Sequence, residues 1–600
     1  QDEGHWNYLN GTTEAKAGAY ANVGHPARLW EKTYYVTLQA TDREYYEQNM
    51  RYERRIPIHV LDTEYSLLPF GTDEERRREA LENAAKREGN LFAEIAKFAL
   101  GRWNEVKADV ILEAISRINQ RDIRSATYLV GLLGALYRYR DNPAFPQQIK
   151  QPLEECVLNL RYWQDEPGDD AMCHMTESHS ILFHAAEILA GQLYPDRTFA
   201  RTDKSGHWHW QRGERMALAW LRSRGTGGFR EWDSNCCFEK DLLALSHLAD
   251  LAENVEVSEL AAILMDKMLF TMAVNSYKGS FGSTHGYTNA PMILGSQLEA
   301  TSGISRMMWG MGVLNHHILG TVSLACSEYE LPSIIPTIAT DLPEEMWNRE
   351  RHVCDAEEVN KATYKTPDYM LCSAQDYRPG EKGRQQHIWQ ATLGPDAVVF
   401  VNHPACMSKN DAHRPGFWLG NYVLPRVAQW KDVLVAAHKL PENDRMGFTH
   451  AYFPVRAFDE FEIKSGWAFA RKGGGYVALT AAQGLEIVRR GPSAYRELRS
   501  YGPHNVWLCQ MGRAMLDDSF REFQQKVLAM KVDWQGLAVH CTTLRGESLA
   551  FGWEGPLTIN GKEQPITGFK HYDNPYCVAD LPLSKMEIRS GDLLLRLDFA

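Results

Sequence analysis

Asp122-Ile-Arg-Ser-Ala-Thr-Tyr-Leu-Val-Gly-Leu-Leu-Gly-Ala-Leu-Tyr-Arg-Tyr-Arg140 is apolar on nearly every side through its centre, from Tyr128 to Tyr137. A helix of that kind is buried among several neighbours rather than laid on a surface. Those neighbours are legible on both sides. Upstream, Thr72-Asp-Glu-Glu75 is a capping-box pattern. Leu81, Ala84, Ala85, Leu91, Phe92, Ile95 and Phe98 continue it as a helical stripe, with a break near Gly89. A second stripe covers 104–119. Downstream, the spacing predicts helices over 146–163, 177–193, 211–223, 239–253 and 256–274, with shorter ones over 294–300 and 304–320. Turn signals such as Asp141-Asn-Pro143 and Glu166-Pro-Gly168 separate them. Many helices with short links and no fixed-period repeat predict an (α/α) toroid of helical hairpins over 71–345. Residues 1–70 read as an irregular arm with a short helix near 42–53.

After about residue 345 the pattern changes. β-Branched and aromatic residues alternate with polar ones in short runs, as at 386–392, 396–401, 432–438, 449–456, 475–481, 504–510, 536–543, 548–553 and 592–599. Arg471-Lys-Gly-Gly-Gly475 and Asn560-Gly561 read as hairpin turns. The expected fold class is therefore α+β and multidomain: the toroid, then an antiparallel β-sandwich over 346–600, with the boundary near Asp341-Leu-Pro343.

Composition narrows the function. The net charge of −12 argues against nucleic acid as the main partner. No apolar run is long enough to predict a membrane span. Eleven cysteines, with Cys236 and Cys237 adjacent and no C-x-x-C pair, make neither a disulfide scaffold nor a zinc module. The start at Gln1 and the sequon Asn10-Gly-Thr12 suggest a secreted or periplasmic protein. Seventeen tryptophans and 26 tyrosines can build a core, and they also support a carbohydrate ligand, since aromatic faces stack on sugar rings.

Four constellations carry candidate chemistry. Cys173-His-Met-Thr-Glu-Ser-His-Ser-Ile-Leu-Phe-His184 puts Glu177 and His184 on one helical face. Glu177 and His179 reach one cleft together only if the helix starts near Ser178. Phe229-Arg-Glu-Trp-Asp-Ser-Asn-Cys236 clusters Glu231, Trp232, Asp233 and Asn235 before a helix. Asn275-Ser-Tyr-Lys-Gly-Ser-Phe-Gly-Ser-Thr-His-Gly-Tyr-Thr-Asn289 offers Tyr277, Lys278, His285 and Tyr287 in a glycine-rich segment. Arg306 could clamp a carboxylate. Asn, His, Tyr and Arg together suit β-elimination of a uronic-acid polysaccharide. The C5 carboxylate is neutralised, a His or Tyr removes the C5 proton, and a Tyr protonates the leaving oxygen. No metal or other cofactor is required. Cys173, His174 and His179 could make a metal site, whereas His207-Trp-His209 and His316-His317 lack a complete ligand set.

Helical toroid followed by β-sandwich resembles several polysaccharide lyase families: chondroitin AC and hyaluronate lyases, the heparinase II/III type and toroid alginate lyases. Tyr277-Lys-Gly-Ser-Phe-Gly282 is similar to the tyrosine motif of the chondroitin AC type, and His413-Arg-Pro-Gly-Phe-Trp-Leu-Gly420 to the stretch opening its β domain. The resemblance implies Asn235 as the asparagine, His285 or His179 as the histidine, Tyr287 or Tyr277 as the tyrosine, and Arg306 with Glu177 in support. It departs in order, since His285 follows Tyr277. Two alternatives stay open: a glycoside hydrolase using Glu177 with Glu231 or Asp233, and a non-catalytic carbohydrate-binding scaffold.

Overall fold

The computed structural model describes residues 32–39, 53–61, 63–168, 170, 172–405 and 415–600. The expected arm is not wholly irregular. Lys32–Gln39 and Glu53–Val60 pair antiparallel, in register Lys32↔Val60 to Gln39↔Glu53. The Tyr34-Tyr-Val-Thr37 run favours extended backbone. The helix expected near 42–53 lies outside the described residues, except that Glu53 opens a strand.

The helical stretch begins at Asp73–Ala85, where Thr72 and Glu75 complete the capping box. Asn90 caps the next helix, Leu91–Ala99, after the break at Gly89. Ala108–Asn119, Ser125–Tyr139 and Lys150–Asn159 follow. The longest helices come next: Glu177–Leu193, Gly206–Gly227, Phe238–Leu251 and Val255–Val274. Gly131 and Gly134 leave no room for a side chain, because a Cβ would meet Phe92 at 2.9 Å and His247 at 2.1 Å. That is why the apolar centre of Ser125–Tyr139 can lie so deep.

Two expectations need correction. The helix expected over 304–320 is two helices, Ala300–Trp309 and Leu319–Ala325. Gly310 at φ 79° and Gly312 at φ 114° end the first and turn the chain. The segment expected over 294–300 is a short helix, Ala290–Ile293, and a 3-10 turn, Ser296–Leu298. A further helix, Ile334–Thr340, precedes the first long strand, Met346–Cys354.

From there the chain builds antiparallel sheets, so the molecule mixes α and β. A ten-stranded sheet has the central neighbours Val398–Asn402, Trp389–Thr392, Met370–Gln375, Glu357–Lys365 and Met346–Cys354. A six-stranded sheet is centred on His504–Arg513. The two face each other across one apolar core, with Leu371, Trp389 and Val399 from one and Leu434, Val477 and Trp507 from the other. The opposite face of the six-stranded sheet packs on the helix Phe520–Leu528 and a five-stranded sheet. The last hairpin, Lys585–Ser590 with Leu593–Asp598, joins neither large sheet. Its Met586, Ile588, Leu597 and Phe599 belong to the helical core.

The opposite face of the ten-stranded sheet positions the candidate site. Asn348, Glu350, Lys361, Thr363 and Lys365 are all buried there. They meet loops from the helical stretch: Lys361 Nζ pairs with Asp233, and Asn275 Nδ2 donates to Glu350 Oε1 at 2.8 Å.

Candidate functional site

Two of the constellations interlock. Gly286 N–H donates to the Trp232 carbonyl at 2.8 Å, and Trp232 Nε1 donates to Thr284 Oγ1 at 3.1 Å. Ser234 Oγ donates to the Tyr287 carbonyl at 2.7 Å, and Thr288 Oγ1 to Asn235 Oδ1 at 2.5 Å. Ser283 Oγ donates to Asp233 Oδ2 at 2.5 Å. Residues 229–237 and 283–289 therefore form one unit. Asp233, at φ 46°, takes a left-handed conformation that aspartate tolerates better than most residues.

A buried charge cluster holds the unit to the sheet. Lys361 Nζ bridges Asp233 and Glu350, the latter at 2.8 Å, and all three side chains are at most 1% exposed. Burial opposes the lysine's charge, but the two carboxylates outweigh it and hold the ammonium above its ordinary range. Burial likewise opposes the charge of Glu350, and Lys361 overrides it, so this carboxyl sits well below the usual range.

Glu177 joins the unit from the first turn of Glu177–Leu193, whose cap is Thr176. Its carboxylate accepts from Arg224 Nε at 2.9 Å, Arg230 N at 3.1 Å and Glu231 N at 2.8 Å. His179 turns elsewhere, with Nδ1 2.6 Å from Thr176 Oγ1. Burial, with Lys240 nearby, lowers His179 to about 4. Because the helix starts at Glu177, the two side chains do not point into one space.

The rim of the unit is where side chains meet solvent. Glu231, Tyr287, Lys240 and Gln385 are all half-buried there. Burial raises the Glu231 carboxyl, and Glu177 raises it further. Burial raises the Tyr287 hydroxyl, against a hydrogen bond with Gln385. Behind them, Asp241 is pushed well up by burial and then by Glu177 and Glu231. Burial and this crowding favour the protonated forms of Glu231 and Asp241.

The other expected residues take interior positions. His285 is 1% exposed, and its Nδ1 donates to the Asp233 carbonyl at 2.5 Å. Burial, with His387 adjacent, holds it neutral, well below its usual range. Tyr277 is 1% exposed and donates to the Pro367 carbonyl at 3.0 Å. It begins a tight turn whose central residues, Lys278 and Gly279, both have positive φ. The Lys278 ammonium folds over the Tyr277 ring, 5.0 Å from its centre. Asn235 is fully buried, its Nδ2 donating to the Met292 carbonyl at 3.2 Å. His184 packs against Trp163, ring centres 4.6 Å apart, and burial lowers it to about 3. Arg306 makes a two-pronged contact with Glu79 at 2.8 and 3.0 Å and lies over the Phe70 ring. It is not free to clamp a ligand. The carboxylates suggested for hydrolysis are also committed: Glu177 to three donors, Asp233 to Lys361 and Ser283. Of those three acids, only Glu231 reaches the rim.

Sequence reasoning missed Lys240, Gln385 and Lys361. Lys240 had a usable signal, lying one turn into the helix that follows Asn235. His413 and Arg414 lie outside the described residues, whereas Phe417 and Trp418 are buried in a small aromatic cluster. Among the described residues, one group of three potential metal ligands converges, Glu166, Glu187 and His209. Arg212 already supplies a cation there, its Nη1 2.5 Å from Glu166 and 3.2 Å from Glu187. Also among the described residues, no helix is long and apolar enough to cross a membrane.

No family model matches the chain, and no curated protein matches it. Among solved structures, it is similar to a point mutant of the chondroitin AC lyase of Streptomyces coelicolor A3. The match covers 90% of this chain and 78% of that one, at 10% identity and a TM-score of 0.25.

Proposed function

We propose that the protein is a polysaccharide lyase that cleaves a uronic-acid-containing polymer by β-elimination, with the helical stretch arranged as a toroid. The observation that carries this reading is the half-buried rim, where Tyr287 stands beside a carboxyl, Glu231, that burial keeps inclined to hold its proton. A protonated Glu231 donates a hydrogen bond to the substrate carboxylate. That neutralises the carboxylate and acidifies the C5 proton. Tyr287, protonated at the start because burial raises its hydroxyl, delivers a proton to the departing glycosidic oxygen. His179, kept neutral by burial, is the candidate base, and it must turn from Thr176 Oγ1 to take the C5 proton. Asn235, His285 and Asp233 act as positioning residues that fix the loop bearing Tyr287. The hydrolase reading loses ground, because two of its three candidate carboxylates are sealed.

The test is a panel of uronate polymers followed by the ultraviolet absorbance of the new C4–C5 double bond. Tyr287→Phe is expected to abolish that signal while substrate still binds, and Tyr277→Phe to keep it. New reducing ends without the absorbance would refute elimination.

A further inference from the structure

Cys236 and Cys237 are the one vicinal cysteine pair in the sequence. Their sulfurs lie 3.7 Å apart. Both directly precede the helix Phe238–Leu251, whose first turn carries Lys240. Ser234 Oγ lies 3.5 Å from Cys236 Sγ, and the Tyr287 carbonyl accepts from that sulfur at 3.9 Å. The pair shares a small apolar cluster with Met292, Ala300 and the half-buried Tyr287. A helix N-terminus, a nearby ammonium and hydroxyl and thiol donors are the surroundings that make a thiolate reactive. The hydrogen bond from Cys237 is the largest influence lowering Cys236, with Ser234 and Lys240 helping against burial. Most other described cysteines are single thiols that burial pushes up, such as Cys156 and Cys541 to about 12.

We propose that Cys236 and Cys237 are a peroxide-responsive modification site that closes to a vicinal disulfide and so displaces Tyr287. The Cys236 thiolate attacks one oxygen of hydrogen peroxide, giving a sulfenic acid and releasing hydroxide. The Cys237 thiol then attacks the Cys236 sulfur. An S–S bond forms and water leaves, so the two thiols are oxidised as the peroxide is reduced. The sulfurs close from 3.7 Å to a bond of about 2 Å. That movement pulls Cys236 and Ser234 from the Tyr287 carbonyl, the contact that positions its backbone. Only this last consequence rests on the lyase reading; the thiol chemistry stands apart from it.

The experiment treats the full chain with hydrogen peroxide, digests it without reduction and weighs the peptide carrying both cysteines. The expected peptide has lost two hydrogens and regains them with dithiothreitol. Cys237→Ser should stop at a sulfenic acid trapped by a 1,3-dione, and Cys236→Ser should show neither product. Full alkylation of the pair after peroxide, while other thiols oxidise, overturns the proposal, and so does sulfinic acid without a disulfide. Turnover is followed in parallel by double-bond absorbance and should fall and recover with the mass. The mass change without turnover in any sample would reject the lyase reading and leave the thiol site standing.

Discussion

Replacing Lys361 by methionine removes the ammonium that touches two buried carboxylates while keeping the length of the side chain. Lys361 and Asp233 are each 1% exposed and Glu350 is fully covered. Breaking a buried ion pair from one side leaves its partner charged and dry, at a cost of about 3–5 kcal/mol. Glu350 keeps His352 Nε2 at 3.0 Å and two amide donors, and Asp233 keeps Ser283 Oγ, so Lys361→Met is expected within that range rather than above it. Part of the loss can be relieved by proton uptake. Without Lys361, burial is left as the largest influence on Glu350 and pushes its folded-state pKa up. The stability of the variant is then fully present below the unfolded pKa and lost as pH rises through the folded one. The assay is urea unfolding followed by tryptophan fluorescence, since Trp232, 2% exposed, lies beside Asp233. Its midpoint should drop sharply at neutral pH and less in mild acid. Adding Asp233→Asn and Glu350→Gln should recover most of the loss, because neutral amides need no cation. A deficit below about 1 kcal/mol, or no recovery in the triple variant, would refute the account.

Other outcomes follow from single contacts. Glu299 is raised by burial from an ordinary 4.5 to about 8; the stability it confers is present below the unfolded value and lost as pH rises through about 8. Glu299→Gln should therefore gain on the parent across that window, read as the difference between their melting temperatures. A Cβ on Gly286 would lie 2.7 Å from Trp232 N, so Gly286→Ala should cost about 1–3 kcal/mol and raise proteolysis of the 283–289 loop. Arg306→Lys loses the two-pronged contact with Glu79; it should lower thermal stability and leave KM for any accepted substrate unchanged.

Helices were legible where their apolar stripes face one way, as at Leu81 to Phe98, and where a cap or glycine marks an end. The strands at 346–375 were not read. Asn348, Glu350, Lys361, Thr363 and Lys365 look like a solvated face, yet burial against polar loops uses the same residue types. The site was legible as composition rather than as geometry. The 229–237 and 283–289 stretches each stood out, but their hydrogen bonds join groups far apart in sequence. His285 reads as a cleft residue in a glycine-rich loop. It is interior because the sheet covers that loop, and nothing local reports the cover.

The polar face of the ten-stranded sheet also sets an order of events at the ribosome. Asp233, Asn275 and His285 emerge well before Lys361 and Glu350, which complete their surroundings. Until the strand Glu357–Lys365 is made, the nascent helical stretch carries a carboxylate at Asp233 awaiting its counter-ion. That loop can only settle late, so a fragment ending near Thr340 should stay open at the rim even where its helices have formed. The hairpin Lys585–Ser590 with Leu593–Asp598 extends the dependence, since Phe599 just beyond it fills the space over Gly225. Helices made early are thus finished by residues made much later.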